Sequence, residues 1–166
     1  MDYTRLYISL LWAQVFESLE EYDDLNVNYE FAFDKKDIQT VSDSDLVKCS
    51  NLLKSKGRKA SVHAPFLGIS YGQVDYAELK ESREILKRLI DIGEKLDSRR
   101  FIFHLLLPRE TEHLEKWILE SIETFKILEK ENDSEKIFCF ENVFEPSTNL
   151  FDDIFLNFKM SIPSMG

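Results

Sequence analysis

The chain sets 31 acidic against 21 basic side chains in 166 residues, a formal net charge of −10. Affinity for nucleic acid comes largely from lysine and arginine displacing counterions from the phosphate backbone, so this balance argues against a DNA- or RNA-binding surface. A hydrophobic content of 43% with 31% charged residues fits one globular domain over residues 1–166, large enough to bury roughly two-thirds of its unfolded surface.

Two cysteines, Cys49 and Cys139, offer no disulfide framework, which points to a reducing cytoplasm. The first apolar run is too short for a membrane span and carries no cleavage-site pattern. Arg58-Lys59 and Arg99-Arg100 are tight basic pairs from which a local groove could be built.

In chain order, residues 6–11 read as a first strand, and 13–22 as a helix with Val15, Phe16 and Leu19 on one side. A second strand spans 27–33. Ser42 or Ser44 can cap the next helix, whose stripe holds Leu46, Cys49, Leu52 and Leu53, and Gly57 stands where a helix ends in the left-handed conformation. The third strand, 59–66, leads into a loop at 67–74. Asp75 can then cap a long helix that buries Leu79, Ile85, Leu86, Leu89, Ile90 and Leu96. A fourth strand covers 100–105, a helix opens at Thr111, and a fifth strand follows Ser134. A last helix is expected over 148–158, and residues 158–162 begin a sixth strand.

Strict alternation of strand and helix predicts a parallel sheet. Within the strands, side chains alternate between faces. Tyr29, Phe31, Val62, Phe101, Phe103, Phe138 and Phe140 share one set of faces, leaving Glu30, His63, His104 and Glu141 on the other. A doubly wound nucleotide-binding sheet would place a glycine-rich turn after its first strand. Here that position reads Leu11-Trp12-Ala13-Gln14. A (β/α) barrel instead gathers functional groups at the C-terminal ends of several strands, which is where these four polar residues stand. Eight such units take roughly 250 residues, so the expected fold is a partial TIM barrel of about five strands.

Ser61-Val62-His63-Ala64-Pro65-Phe66, the glycine-containing loop after it, Phe101-Ile102-Phe103-His104 and Phe140-Glu141-Asn142, in this order, resemble the xylose isomerase-like TIM barrel superfamily. That group holds sugar phosphate isomerases and epimerases and the endonuclease IV-like enzymes of AP endonuclease family 2. The resemblance implies a divalent metal (Zn, Mn or Co) on His63, His104 and Glu141. Glu141 would also act beside the sugar carbon whose proton moves. Glu30 and Asn142, at the same strand ends, are expected to contact substrate, though Asn142 could equally serve only to turn the chain. It implies a sugar or sugar phosphate as substrate. Family members draw further ligands from strands six to eight, so the chain is expected to be the N-terminal portion of a barrel, self-associating or completed by a missing C-terminal half.

Other readings compete. Phosphodiester hydrolysis of abasic DNA is the alternative within the superfamily, and a non-catalytic binding or assembly module is the alternative outside enzymes. Glu30 could equally be a buried carboxylate paired with Arg5 or Lys59. His113 reads as solvated. Gly68-Ile69-Ser70-Tyr71-Gly72 fits the nucleophile elbow of serine hydrolases, which requires a strand running into the first glycine and a helix leaving the last.

Overall fold

The computed structural model describes residues 6–72, 75–105, 114–131 and 135–141. Five strands, β1 (Tyr7–Leu11), β2 (Asn28–Ala32), β3 (Ala60–His63), β4 (Arg100–His104) and β5 (Ile137–Glu141), form one parallel sheet in sequence order. The helices are α1 (Val15–Glu21), entered through a 3-10 turn at Trp12–Gln14, then α2 (Lys35–Thr40), α3 (Asp43–Ser55), α4 (Tyr76–Lys95) and α5 (Leu114–Lys130). This is the partial (β/α) barrel that the alternation of elements predicts.

The helix ends are set by local chemistry. Ser42 caps α3 by accepting from the Asp45 amide at 3.1 Å, and Asp75 caps α4 by accepting from the amides of Ala77 and Glu78. At the other end of α3, Gly57 takes a φ of +64° while the Arg58 amide returns to the Leu53 carbonyl and the Gly57 amide to Lys54. The end of α4 repeats this double bond, with Ser98 returning to Gly93, and Asp97 to Glu94 at a φ of +58°. Both helices therefore stop in the same left-handed turn, and each feeds a strand that starts three residues after the left-handed one.

The sequence reading passes over α2. Its six residues bury only Ile38, too few for a periodic stripe, so the signal lies in its cap alone. Asp34 accepts from the Asp37 amide and Asp37 from the Asp34 amide, a reciprocal capping box with aspartate in both places.

The outward face of the sheet carries the core, as the alternation requires. Tyr29, Phe31, Val62, Phe101 and Phe103 are buried under the helices, with Phe138 and Phe140 partly buried against them. Where α4 crosses β4, a Cβ on Gly93 would lie 2.4 Å from the ring of Phe101, which is itself buried. Gly93→Ala is expected to cost about 1–3 kcal/mol through overpacking, even after the roughly 1 kcal/mol that alanine gains in helix propensity. Urea unfolding checks this as a lower midpoint with an unchanged slope.

The sheet curls. The Arg100 guanidinium at the start of β4 donates to the Tyr7 hydroxyl at the start of β1, at 2.6 Å, across three strand intervals that would hold them about 14 Å apart in a flat sheet. Both side chains occupy the inward face. The last helix and sixth strand expected from sequence, with Arg5, His113 and Asn142, lie outside the described residues.

Candidate metal centre

Four inward side chains meet near the C-terminal ends of β2 to β5. Register sets Glu30 beside Ser61 and Ala32 beside His63, so His63 stands two residues further along the face that Glu30 occupies. Its Nδ1 lies 3.0 Å from Glu30 Oε1. On the far side of the ring, His63 Nε2 lies 2.7 Å from His104 Nε2, the two imidazoles stacking at 4.8 Å between centroids. His104 Nε2 is 3.4 Å from Glu141 Oε2, the residue opposite it in the β4–β5 ladder.

A carboxylate only accepts, so a neutral His63 bonded to Glu30 carries its hydrogen on Nδ1 and turns the lone pair of Nε2 toward His104. In that tautomer a hydrogen on His104 Nε2 completes the 2.7 Å contact, with the Glu141 carboxylate beside it.

Burial grades across the site. The His104 side chain is 6% exposed, His63 16%, Glu30 19% and Glu141 47%, so the cluster is closed at its base and open at Glu141. The hydrogen bond from His63 holds the Glu30 carboxyl below its ordinary value. Burial opposes this shift, while Ser9, donating to Glu30 Oε1 at 3.0 Å, and the field of the two imidazoles add to it. Burial pushes the Cys139 thiol up, aided by Glu30 and opposed by Arg100, which keeps this inward-facing sulfur protonated.

The donor set suits a cation. His63, His104 and Glu141 offer one ligand atom each, all within 4.8 Å of one another. Glu30 behind His63 supplies the carboxylate–histidine support that fixes tautomer and ring orientation in metal sites. A tetrahedral ion with nitrogens at 2.0–2.1 Å would hold the two Nε2 atoms about 3.3 Å apart. The rings would therefore have to part by only roughly half an ångström, with the ion taking the place of the hydrogen between them. Two histidines and a carboxylate suit zinc, manganese or cobalt.

Glu30 is engaged by His63 and Ser9 in place of the Lys59 partner considered from sequence. Sequence reasoning also missed Ser9 and Phe66. Ser9 was legible as the inward position of β1 paired with Glu30, whereas Phe66, seen in sequence only as the end of the motif that begins at Ser61, is brought edge-on to His104 at 4.8 Å by the loop. A cleft of about 380 Å³ opens beside the cluster, walled by Leu11, Ala32, Pro65 and Leu67 and reached by Asp34 and Asp37.

The serine-hydrolase geometry is not formed. β3 ends at His63 and α4 begins at Tyr76, so neither strand nor helix abuts the Gly68–Gly72 stretch. Its residues Ile69 and Tyr71 are buried, the Tyr71 carbonyl accepts from Thr124, and a Cβ on Gly72 would lie 2.0 Å from the Trp117 carbonyl. The glycine is there so that the loop can lie against α5.

No protein-family model matches the sequence, and no curated protein matches it. Solved structures do. The TTHB071 protein from Thermus thermophilus, soaked with ZnCl2, superposes with a TM-score of 0.73 at 18% identity over 89% of this chain and 61% of its own. A D-psicose 3-epimerase with D-tagatose from Clostridium cellulolyticum gives 0.68 at 13% identity over 89% and 59%. A xylose isomerase domain protein from Planctomyces limnophilus gives 0.63 at 13% over 84% and 54%. The chain has the fold of the xylose isomerase-like barrels. It spans 54–61% of the length of these three structures. His63, His104 and Glu141 stand at the C-terminal ends of β3, β4 and β5. Among the described residues no helix is long and apolar enough to cross a membrane.

Proposed function

We propose that this chain contributes the metal-binding side of a sugar or sugar phosphate isomerase or epimerase site. The observation that carries the reading is the convergence of His63, His104 and Glu141 on one point, with Glu30 holding His63 from behind. When bound, a divalent ion would supply positive charge to sugar oxygens beside the carbon that loses its proton.

The residues divide the work by exposure. His63 and His104 hold the ion from the buried side, Glu30 positions His63, and half-exposed Glu141 is placed to take a proton from substrate and return it. Asn142, next to Glu141 in the chain, keeps the substrate-contacting role expected from sequence. A single exposed carboxylate, Glu141, supports transfer on one face of the sugar, as in aldose–ketose isomerisation. Epimerisation needs a second acid or base on the opposite face, which the described residues do not bring to the cluster. Further residues, from a longer chain or a second copy, would supply it and pair the edges of β1 and β5 that are unpaired among the described residues.

Abasic DNA is a poorer fit, because a duplex at this mouth would meet Asp34, Asp37 and Glu141. A binding module without chemistry would leave the grading of exposure toward Glu141 without a use.

Calorimetric titration with Zn2+ and Mn2+ tests the site. His63→Ala and Glu141→Gln are each expected to weaken binding by about tenfold or more. Exchange of a sugar's carbon-bound proton with D2O, followed by NMR, should depend on added metal and vanish in Glu141→Gln. Unchanged metal affinity in both variants would reduce the cluster to a hydrogen-bonded core network.

A further inference from the structure

The two basic pairs of the sequence meet at the opposite end of the sheet. Arg58-Lys59 follows the left-handed turn that ends α3, and Arg99-Arg100 the matching turn that ends α4. Each leads into a strand, and those strands, β3 and β4, are neighbours. Two identical helix-to-strand turns thus deliver both pairs, with Lys54, to the rim of one cleft of about 330 Å³. Five cations and the single carboxylate of Asp97 line it, in a chain whose formal net charge is −10.

Two of the guanidinium groups are fixed in advance. Arg58, its side chain 9% exposed, donates to the Tyr29 hydroxyl at 2.7 Å and to the Asp23 carbonyl, and Arg100 donates to the Tyr7 hydroxyl while lying over that ring. Neutralisation is thin. Asp97 meets Lys54 at 3.3 Å, Asp23 meets Arg58 at 3.7 Å and Glu135 meets Arg99 at 3.8 Å, through carboxylates that are 46–82% exposed. Such exposed pairs contribute little. Among the described residues neither Lys59 nor Arg100 has a carboxylate within 4.0 Å. Leu53, Leu96 and Ile137 give the cleft an apolar floor.

We propose that this cleft binds a small organic phosphate, its phosphate groups held by Arg99, Arg100 and Lys59, with Arg58 adding fixed positive charge behind them, and its body resting on the apolar floor. The proposal stands independently of the chemistry at the opposite end of the strands.

Calorimetry with ATP and with pyrophosphate, at matched ionic strength, tests it. Saturable binding below about 1 mM is expected for both probes. The double variant Lys59→Glu, Arg99→Glu, at two exposed positions, should weaken binding at least about tenfold, while Lys36→Glu with Lys80→Glu makes the same charge change at exposed sites away from the cleft and should leave it within about twofold. Circular dichroism establishes that both variants are folded. Absence of saturable binding, equal losses in the two variants, or citrate binding as tightly as pyrophosphate would each overturn the proposal.

Discussion

Phe103→Ala is expected to cost about 3–5 kcal/mol, the cost of a large aromatic truncation in a packed core. The ring is fully buried in β4 and touches four others: edge-on to Tyr71, Phe125 and Phe138 at 5.3–5.9 Å between centroids, and tilted to Phe140 at 5.9 Å. Those partners come from the loop after β3, from α5 and from β5, so one side chain ties three separate segments to the sheet. Stabilities of single domains run at about 5–15 kcal/mol, and the variant would forfeit a large share. Urea unfolding should show a midpoint well below that of the parent, whereas Leu119→Ala, at a side chain 67% exposed on α5, should stay within about 0.5 kcal/mol. If Phe103→Ala unfolds no more easily than Leu119→Ala, the aromatic cluster is not the fold's centre.

The same ring shows why so much of the architecture could be read in advance. Phe101 and Phe103 alternate with Ile102 and His104, and a period of two in so short an apolar stretch leaves little freedom over which side chain faces the helices. Glu30, His63, His104 and Glu141 were legible for that reason, because each is the polar exception in an apolar strand. What they touch was not. The choice between Lys59 and His63 as partner of Glu30 rests on the register of β2 against β3 and on the curl of the sheet, neither of which a single strand encodes. Helix α2 escaped because one buried residue makes no pattern. The meeting of Arg58-Lys59 with Arg99-Arg100 needed both the pairing of β3 with β4 and the equivalence of two helix-ending turns. Gly57 advertised the first turn, but Asp97 occupies the second, where an aspartate in the left-handed region gives no warning.

Glu30 offers the sharpest test of how the candidate centre is built. It is the base of a chain in which Ser9 and His63 converge on one carboxylate oxygen, His63 reaches His104, and His104 reaches Glu141. Removing it with Glu30→Ala takes away no proposed ligand, yet it frees the His63 ring to turn and to adopt the other tautomer. The expected result is a loss of about 10–100-fold in Zn2+ or Mn2+ affinity, or roughly 1.4–2.7 kcal/mol. Glu30→Gln separates the two effects, because an amide oxygen can still accept from Nδ1 while contributing no charge. It should recover the ring's orientation and therefore part of the affinity, falling between parent and alanine variant. An NMR spectrum of the ring nitrogens provides a readout independent of metal, with the Nδ1-protonated form of His63 dominant in the parent and in Glu30→Gln and mixed with the other tautomer in Glu30→Ala. Should Glu30→Ala bind metal as tightly as the parent with its tautomer unchanged, the carboxylate is only filling a polar gap beside Ser9, and the orientation of His63 must come from the stacking of the two imidazoles.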